Sequence, residues 1–488
     1  MDPVDVKKGN AGCHVIAVPY PGRGHVNPMM NLCELLASRE LAITFVVTEE
    51  WLQYIASGGL KSANIRLASI PNVIPSEQNR GADFAGFVEA VSNKMEAPFV
   101  RLLDELPGPI SCIIADTFIP WVVEVGIRRN IPVASLWTMA PSVFSVLRHF
   151  DLFISNRHFP LDDFPASAFH NNQDRLTKNY TGREDERVEY IPGISSIRLS
   201  DLYSIFRGAN LRSSRTGPSI LERAIDSASA ATKAQYLLFS SCCEFDIHAT
   251  DTLSSKLPLP VYIVGPCIPY MKHCTEAHRG DTDYCIWLNN QPRQSVLYVS
   301  LGSFLSTSAS QIEELANGLL ASNVRFLWVG RGDVQLLQEM IGGENETGLV
   351  VPWCDQLKVL SHTSVGGFLT HCGWNSTMEG VFCGVPMLTF PLFWDQFVNS
   401  KMIVEDWGVG MRLKTEVGDK VVESGEISEL VQRFMAADGE ESKEMRRRCG
   451  KLQKICKRAV EKDGSTQRNL KAFVMQVESC SGLANCNR

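Results

Sequence analysis

Residues 353–396 constrain the fold more than any other part of the chain. They read as a loop, a short apolar strand at 366–369, a polar turn with the sequence HCGWNS, a helix-compatible run and a second strand. Gly373 allows the backbone of the turn to approach a ligand closely, and Asn375 or Ser376 is predicted to cap the helix. A helix that begins after a parallel strand favours bound anions at its N-terminus, so this segment predicts a phosphate site.

Aromatic and polar side chains surround this predicted phosphate site. An indole stands near each end of the segment, at Trp353 and Trp394, and Glu379 lies one turn into the helix. Asp395 and Gln396 follow the second strand. Indoles stack on flat rings, and carboxylates and amides bind hydroxyl groups. Such a combination is typical of a pocket for a nucleotide-sugar.

The whole segment resembles the donor-binding signature of plant UDP-sugar-dependent glycosyltransferases. One departure is Asp355, where the family usually has proline, and a less rigid donor loop is expected from it because proline presets φ. The residues that carry the resemblance are Trp353, Gln356, His362, Gly366, Thr370, His371, Cys372, Gly373, Trp374, Asn375, Ser376, Glu379, Gly384, Val385, Pro386, Pro391, Asp395 and Gln396.

Length and charge narrow the possible classes of protein. A chain of 488 residues exceeds a single core, which favours two or three domains. Its net charge of −7 does not favour binding to nucleic acid or to an anionic membrane. The first ten residues, MDPVDVKKGN, lack the apolar core of a signal peptide, and no apolar run predicts a membrane span. The 15 cysteines form no CxxC pair and are typical of free thiols, which predicts a cytoplasmic protein.

Apolar strands alternate with amphipathic helices along the first half of the chain. This alternation predicts a doubly wound parallel sheet, with residues 150–190 as an irregular surface excursion. An amphipathic helix with Met29, Leu32, Leu35 and Leu36 on one face follows the first strand, and helical patterns also cover 78–106 and 219–234. The predicted strands are 15–18, 41–47, 113–115, 133–137, 236–240 and 261–264.

The second half opens in the same way, with a strand at 296–300, a turn at Gly302 and Ser303, and a helix at 310–320. We therefore expect an α/β protein of two Rossmann-like doubly wound domains facing across a cleft, which the resemblance identifies as the GT-B type. The predicted units are residues 1–265, which bind the acceptor, a linker at 266–282, residues 283–450, which bind the UDP-sugar, and a C-terminal helix at 451–488. The resemblance implies that this last helix packs back on the N-terminal domain, and its basic run predicts a solvated face.

His25 is the candidate catalytic base. It follows a glycine turn between a strand and a helix, in the run PGRGHVNP, whereas His14 starts the strand and faces no obvious site. Histidine suits the removal of a hydroxyl proton near neutral pH. The run resembles the N-terminal segment of the family, whose histidine is the base, and Asp116 at the end of IIAD matches its catalytic aspartate. A carboxylate there would anchor the second imidazole nitrogen.

The resemblance also implies roles for the donor-binding residues. Trp353 would stack on uracil, with Cys354 beside it, and Gln356 and Glu379 would bind the ribose hydroxyls. The pyrophosphate would contact Ser303, His371, Gly373, Asn375 and Ser376, and the sugar would contact Trp374, Asp395 and Gln396. Gln396 is associated in the family with glucose rather than galactose. No metal or other cofactor is expected, because backbone amides, hydroxyls and His371 can neutralise the leaving UDP.

The acceptor pocket is less determined by the sequence. Five apolar side chains could line it or could equally belong to the core: Phe118, Trp121, Trp137, Met139 and Phe144. The predicted reaction is inverting transfer of a hexose, with glucose preferred, from a UDP-sugar to a hydroxyl or carboxyl of a small lipophilic plant metabolite, by a monomer. The alternatives are an NAD-type oxidoreductase, although GRGHVN lacks the third glycine of GxGxxG, and a non-catalytic UDP-sugar-binding protein.

Overall fold

The computed structural model describes residues 13–57, 62–159, 183, 185–214, 217–269, 283–302, 308–330, 334–341, 347–413, 421–436 and 438–486. Within them the chain forms two parallel sheets flanked by helices, which confirms the two-domain α/β architecture expected from the sequence. Most of the predicted linker and much of the predicted surface excursion at 150–190 lie outside the described residues.

The first sheet is formed by strands whose side chains are almost all apolar, because helices cover both of its faces. Its seven strands run in the order β3-β2-β1-β4-β5-β8-β9, all parallel, and a separate antiparallel hairpin consists of β6 and β7. The strands are His14–Val18 (β1), Ala42–Thr48 (β2), Ile65–Ile70 (β3), Cys112–Asp116 (β4), Val133–Trp137 (β5), Arg187–Val188 (β6), Ile197–Arg198 (β7), Tyr236–Phe239 (β8) and Val261–Ile263 (β9).

The helical pattern predicted for 78–106 is divided in the structure. A 3-10 turn at Glu77–Asn79 precedes two helices that meet at Met95. Pro98 explains the break, because it has no N–H to donate to the carbonyl of Lys94. The helices of this half are Arg23–Ala37 (α1), Glu49–Ser57 (α2), Phe84–Lys94 (α3), Glu96–Glu105 (α4), Trp121–Arg129 (α5), Pro141–Arg148 (α6), Phe150–Ser155 (α7), Leu199–Arg207 (α8), Ile220–Ala231 (α9) and Ile247–Lys256 (α10).

The second sheet has six parallel strands in the order β12-β11-β10-β13-β14-β15. They are Val296–Ser300 (β10), Arg325–Val329 (β11), Gly348–Val351 (β12), Val365–Thr370 (β13), Met387–Thr389 (β14) and Gly410–Arg412 (β15). The helices are Asp283–Asn289 (α11), Ala309–Ala321 (α12), Val334–Met340 (α13), Gln356–Leu360 (α14), Trp374–Cys383 (α15), Gln396–Lys401 (α16), Ser424–Met435 (α17), Glu440–Val460 (α18) and Ser465–Cys486 (α19). The strands of the two sheets fall on opposite sides of 266–282, and the domain boundaries themselves stay predictions.

Indole side chains of the second domain hold the two domains together. Trp374 Nε1 donates to the carbonyl of Ser240 at 2.8 Å, and Trp407 Nε1 donates to the carbonyl of Phe245 at 3.1 Å. Both carbonyls belong to the loop that follows β8, at the carboxyl edge of the first sheet. The two domains are therefore joined beside this edge by hydrogen bonds to main-chain atoms.

The tail of the chain forms two long helices, α18 and α19, rather than the single C-terminal helix predicted for 451–488. On α18 the side chains of Cys456 and Ala459 are buried, whereas Lys451 and Lys454 are exposed, so the basic run lies on a solvated face as predicted. Among the described helices, none combines the length and the apolar character that crossing a membrane requires.

The last helix, α19, packs against the edge of the first sheet. The ring of Phe473 is fully buried, and its centroid lies 5.7 Å from that of Tyr236 and 5.8 Å from that of Tyr262. Asn469 Nδ2 also donates to the carbonyl of Ile263 at 3.0 Å. These contacts cover the outer strands β8 and β9.

We predict that Phe473→Ala lowers the free energy of unfolding by about 3–5 kcal/mol, because it removes a buried aromatic ring and leaves a cavity. Met475 lies on the same helix with 55% of its surface exposed, so Met475→Ala serves as the control, with a change within about 0.5 kcal/mol. Urea unfolding of both variants measures the difference. Equal stability of the two variants would show that α19 does not contribute to the first domain.

Candidate active site

The chain turns sharply between the end of β13 at Thr370 and the start of α15. Cys372 in this turn has a φ of 67°, a left-handed conformation that is uncommon for a residue with a side chain. Two hydrogen bonds hold it there: Cys372 N donates to Thr370 Oγ1 at 3.1 Å, and Asn399 Nδ2 donates to the Cys372 carbonyl at 2.9 Å. The protein itself thus fixes the turn that carries the predicted phosphate site.

The N-terminus of α15 has no side-chain cap, so the predicted capping by Asn375 or Ser376 is wrong. Gly373 occupies the N-cap position. Asn375 Nδ2 instead donates across the cleft to the carbonyl of Gly24 at 3.1 Å, and Ser376 Oγ accepts from Gln356 Nε2 at 2.9 Å. Without a cap, the N–H groups of the first turn can bind an anion, and the helix dipole adds a positive potential.

The imidazole of His371 lies between two glycines at this helix N-terminus. A Cβ atom built on Gly373 would lie 2.4 Å from His371 Nε2, and one built on Gly302, where φ is 87°, would lie 2.6 Å away. The imidazole therefore fits only because both positions lack a side chain. Ser303 follows Gly302 but lies outside the described residues, so its predicted contact with phosphate stays a prediction.

A network of polar side chains follows on the inner side of α14 and α15. Gln356 Nε2 donates to Glu379 Oε2 at 2.6 Å, and Gln356 Oε1 accepts from the hydroxyl of Tyr298 at 3.1 Å. The Tyr298 oxygen also lies 3.4 Å from the sulfur of Cys354. Burial raises the pKa of Glu379 to about 7, although the hydrogen bond from Gln356 lowers it. The network orients the two predicted ribose-binding residues, and Tyr298 is a member that the sequence analysis missed.

Asp355, the departure from the family pattern, caps α14. Its side chain accepts from Lys358 N at 3.0 Å, and its own N–H donates to the hydroxyl of Tyr284 at 3.2 Å. Its φ of −74° is close to the value that proline imposes. The aspartate keeps the backbone conformation and adds a cap, so the structure does not support a less rigid donor loop.

The predicted indoles occupy different environments. Trp353 lies at the rim of the cleft with 59% of its surface exposed, so one face of its ring is open for stacking. Trp374 is 3% exposed, and its indole N–H already donates to Ser240. The predicted contact of Trp374 with the sugar can therefore involve its backbone rather than its indole nitrogen.

Asp395 and Gln396 are held in place at the start of α16. Burial raises the pKa of Asp395 to about 6, although the hydrogen bond from Asn399 lowers this pKa. Gln396 Oε1 accepts from the backbone N–H groups of Leu392 and Phe393, at 2.8 Å and 3.0 Å. The amide NH₂ is therefore the end of Gln396 that can offer hydrogen bonds to a ligand.

His25 lies across the cleft from the predicted donor-binding residues. Its Nδ1 lies 2.8 Å from Asp116 Oδ2 and 3.0 Å from Thr138 Oγ1. The second carboxylate oxygen of Asp116 accepts from Phe118 N at 2.9 Å, and its side chain is fully buried. Because a carboxylate accepts, we assign the imidazole proton to Nδ1, which leaves Nε2 as the basic nitrogen. The structure thus brings the two predicted catalytic residues together.

One cavity of about 560 Å³ joins His25 to the predicted donor-binding residues. Of the five candidate acceptor residues, Phe118 and Met139 line it. Trp121, Trp137 and Phe144 are instead core residues with 7%, 0% and 0% of their surface exposed, and they are absent from the cavity wall. The predicted donor-binding residues that line the cavity are Trp353, Cys354, Gln356, His371, Gly373, Trp374, Asn375, Ser376, Glu379, Asp395 and Gln396.

Several lining residues were missed by the sequence analysis because they come from distant helices. Tyr20 precedes the glycine turn, and Arg80 follows the 3-10 turn at Glu77–Asn79. Phe84 begins α3, and Arg223 lies on α9. The sequence of α9 does show residues at the spacing i, i+3, i+4, which indicates that one face of the helix is buried. This spacing does not reveal which other element of the domain that face contacts. The described residues contain no group of three or more His, Cys, Asp or Glu side chains that could hold a metal ion.

Comparison with known proteins decides the family. UDP-glycosyltransferase 87A2 of Arabidopsis thaliana is 46% identical over 98% of this chain and 99% of its own length. A family profile described as UDP-glucoronosyl and UDP-glucosyl transferase matches residues 207–424, and one described as Glycosyltransferase, N-terminal domain, matches residues 11–125. The chain belongs to the UDP-glycosyltransferase family. It is therefore an enzyme that transfers a glycosyl group from a UDP-sugar to a small molecule, and not an oxidoreductase.

Solved structures of other plant UDP-glycosyltransferases share the fold. Phytolacca americana UGT2, solved with UDP-2fluoro-glucose and pterostilbene, superposes with a TM-score of 0.76 at 25% identity, over 96% of this chain and 100% of that one. A UDP-glucosyltransferase from Polygonum tinctorium capable of glucosylating indoxyl gives a TM-score of 0.75 at 26% identity, over 96% and 99%. These likenesses confirm the predicted GT-B architecture.

We predict that Glu379→Gln changes the pH dependence of stability. Between about pH 4.5 and pH 7 the folded protein keeps the proton on Glu379 while the unfolded chain releases it, so rising pH favours unfolding of the wild type. The glutamine variant lacks this contribution, and the wild type should lose up to about 3 kcal/mol relative to it across this range. Urea unfolding of both proteins at a series of pH values measures the difference, in which the contributions of the other acids cancel. Parallel pH profiles would contradict the raised pKa.

Proposed function

We propose that the enzyme transfers glucose from UDP-glucose to a hydroxyl of a small lipophilic plant metabolite, with inversion at the anomeric carbon, to give a β-glycoside. The observation that carries this proposal is the His25–Asp116 pair, which faces the donor-binding residues across one cavity. An alcohol needs a base during its attack, whereas a carboxyl acceptor is already ionised near neutral pH and needs none. The pair therefore favours a hydroxyl over a carboxyl as the nucleophile.

In the proposed reaction His25 Nε2 accepts the proton of the acceptor hydroxyl while its oxygen attacks the anomeric carbon. A bond forms between that oxygen and the carbon, and the bond to the UDP oxygen breaks on the opposite face. Asp116 keeps the imidazole in the productive tautomer and stabilises the imidazolium that forms. The negative charge that develops on UDP lies at the N-terminus of α15, where amide groups and the helix dipole stabilise it.

The donor would be bound by the roles that the family resemblance implies. The exposed ring of Trp353 stacks on uracil, and Gln356 and Glu379 bind the ribose. His371 and the first turn of α15 bind the pyrophosphate, with Ser303 from the neighbouring turn. Asp395 and the amide NH₂ of Gln396 bind hydroxyls of the sugar, with glucose preferred over galactose.

The proposal includes no metal or other cofactor, since backbone amides, hydroxyls and His371 supply the hydrogen bonds to UDP. It also assigns the activity to a monomer, because both sides of the cavity come from one chain. Twelve cysteines of the described residues are free thiols, which supports a reducing compartment such as the cytoplasm.

Incubation with UDP-glucose or UDP-galactose and a panel of lipophilic alcohols and phenols tests the function. We expect a hexoside detected by mass spectrometry, with UDP-glucose the better donor and a β-anomeric linkage by NMR. An α-linked product would overturn the inverting mechanism, and absence of any hexoside would overturn the proposed acceptor class.

We predict that His25→Ala lowers kcat by about 10²–10⁴-fold, because it removes the general base. Binding of UDP should stay within about twofold, because the residue does not take part in the proposed contacts with the nucleotide. Asp116→Asn should lower kcat in the same way, since the amide no longer selects the tautomer. Steady-state kinetics and calorimetry with UDP measure the two effects. Near-normal turnover by His25→Ala with an alcohol acceptor would exclude its role as the base.

A further inference from the structure

One face of α9 forms a wall of the cavity on the acceptor side. Ile220, Arg223, Ala224 and Ser227 line it at the spacing i, i+3, i+4 and i+7, which places them on one side of the helix. Phe84 of α3 contributes another apolar side chain to the same cavity. Arg223 is therefore a single charged residue on an otherwise apolar or small helical face.

Arg223 lacks an acidic partner in the part of the chain that the structure describes. Its neighbour Glu222 caps α9 instead: one carboxylate oxygen accepts from Ser219 N at 2.6 Å and lies 2.9 Å from Arg212 Nη1. A bound anion stabilises a half-buried guanidinium without a partner more than it stabilises an exposed guanidinium, because little water competes for the hydrogen bonds of the buried group. The cavity wall thus offers a positively charged group with unused hydrogen-bond donors.

Arg223 lines the same cavity as Tyr20 and His25. Burial raises the pKa of the Tyr20 phenol, and the positive charges of Arg80 and Arg223 oppose this rise. The ring of Tyr20 lies 5.0 Å from that of His25, measured between centroids. Arg80 is nearly fully buried and forms an ion pair with Glu77 at 2.9 Å, so its charge is compensated. Arg223 is the arginine near Tyr20 that can bind an anion of the acceptor.

We propose that Arg223 is a specificity-determining residue that binds an anionic group of the acceptor, so that the preferred acceptors are hydroxy acids. The hydroxyl of such an acceptor lies at His25 and is glycosylated, while its carboxylate lies against the guanidinium on α9 and is unchanged. This inference rests on the proposed transfer to a hydroxyl. It adds a charge requirement to the lipophilic acceptor class.

Arg23 is a second arginine of the cavity wall. It precedes Gly24, whose carbonyl accepts from Asn375 at the N-terminus of α15. Arg23 thus lies beside a contact between the two domains, whereas Arg223 lies on α9. Arg23 therefore provides a comparison for the role of Arg223.

The test uses hydroxy acids of different lengths, each paired with its own methyl ester, so that the reacting hydroxyl is the same within a pair. For the best pair we expect the wild type to prefer the acid by about 10- to 100-fold in kcat/KM, the range of a charge-assisted hydrogen bond. Arg223→Met should remove this preference through KM, with little change for the ester, and Arg223→Lys should keep part of it. Added salt should weaken the preference of the wild type.

Arg101→Met, an exposed arginine on α4, is the matched control and should keep the preference for the acid. Calorimetry with UDP verifies that each variant is folded with an intact donor site. Equal use of acid and ester by the wild type overturns this inference and leaves the proposed function standing. Loss of the preference in Arg23→Met rather than in Arg223→Met also overturns it. Absence of transfer from UDP-glucose to every acceptor overturns the proposed function, and this inference with it.

Discussion

The N-terminus of α15 sets the geometry of both sides of the cleft. Its first turn offers amide groups to an anion because no side chain caps it. The same turn carries Trp374 and Asn375, which hydrogen-bond to Ser240 and Gly24 of the first domain. Gly24 directly precedes His25 in the chain, so the predicted phosphate site and the predicted catalytic base are fixed relative to one another. A change in this turn would disturb binding and catalysis together.

The site combines buried polar groups in two different ways. Asp116 is fully buried, and both of its oxygens are engaged, by His25 and by the N–H of Phe118. Glu379, by contrast, receives one side-chain hydrogen bond, from Gln356, and burial raises its pKa. A carboxylate with satisfied oxygens suits the orientation of an imidazole, whereas one with free acceptor capacity suits the hydroxyls of a ligand.

Sequence reasoning located the parts of the site that depend on local chain geometry. The segment from β13 to α16 and the glycine turn before His25 are contiguous stretches, and their residues lie where a strand–turn–helix junction places them. The acceptor side could not be located in this way, because α3 and α9 meet there only after the whole first domain has folded. Trp137 shows the same limit. The sequence of β5 does not reveal which of its two faces points away from the cavity.

The N-terminus of α15 shows a second limit of prediction from the sequence. Asn375 and Ser376 are suitable capping residues by type, but the helix already begins at Trp374 with Gly373 as its N-cap. Both residues therefore lie within the first turn, and their side chains hydrogen-bond elsewhere. Local propensity is a weak guide where two domains meet, because a side chain can hydrogen-bond to either. Asp355 is the converse case, since its capping role depends only on its own helix and is compatible with the backbone angle of the proline that it replaces.

The indole N–H groups of Trp374 and Trp407 donate hydrogen bonds to main-chain carbonyls of the opposite domain rather than to its side chains. Every residue type supplies a carbonyl, so substitutions in the loop after β8 leave these attachment points in place as long as its backbone path is kept. The first domain can therefore diversify its side chains without losing its docking to the second domain. A single architecture of this kind can give rise to enzymes that share one sugar donor and differ widely in the molecules they modify.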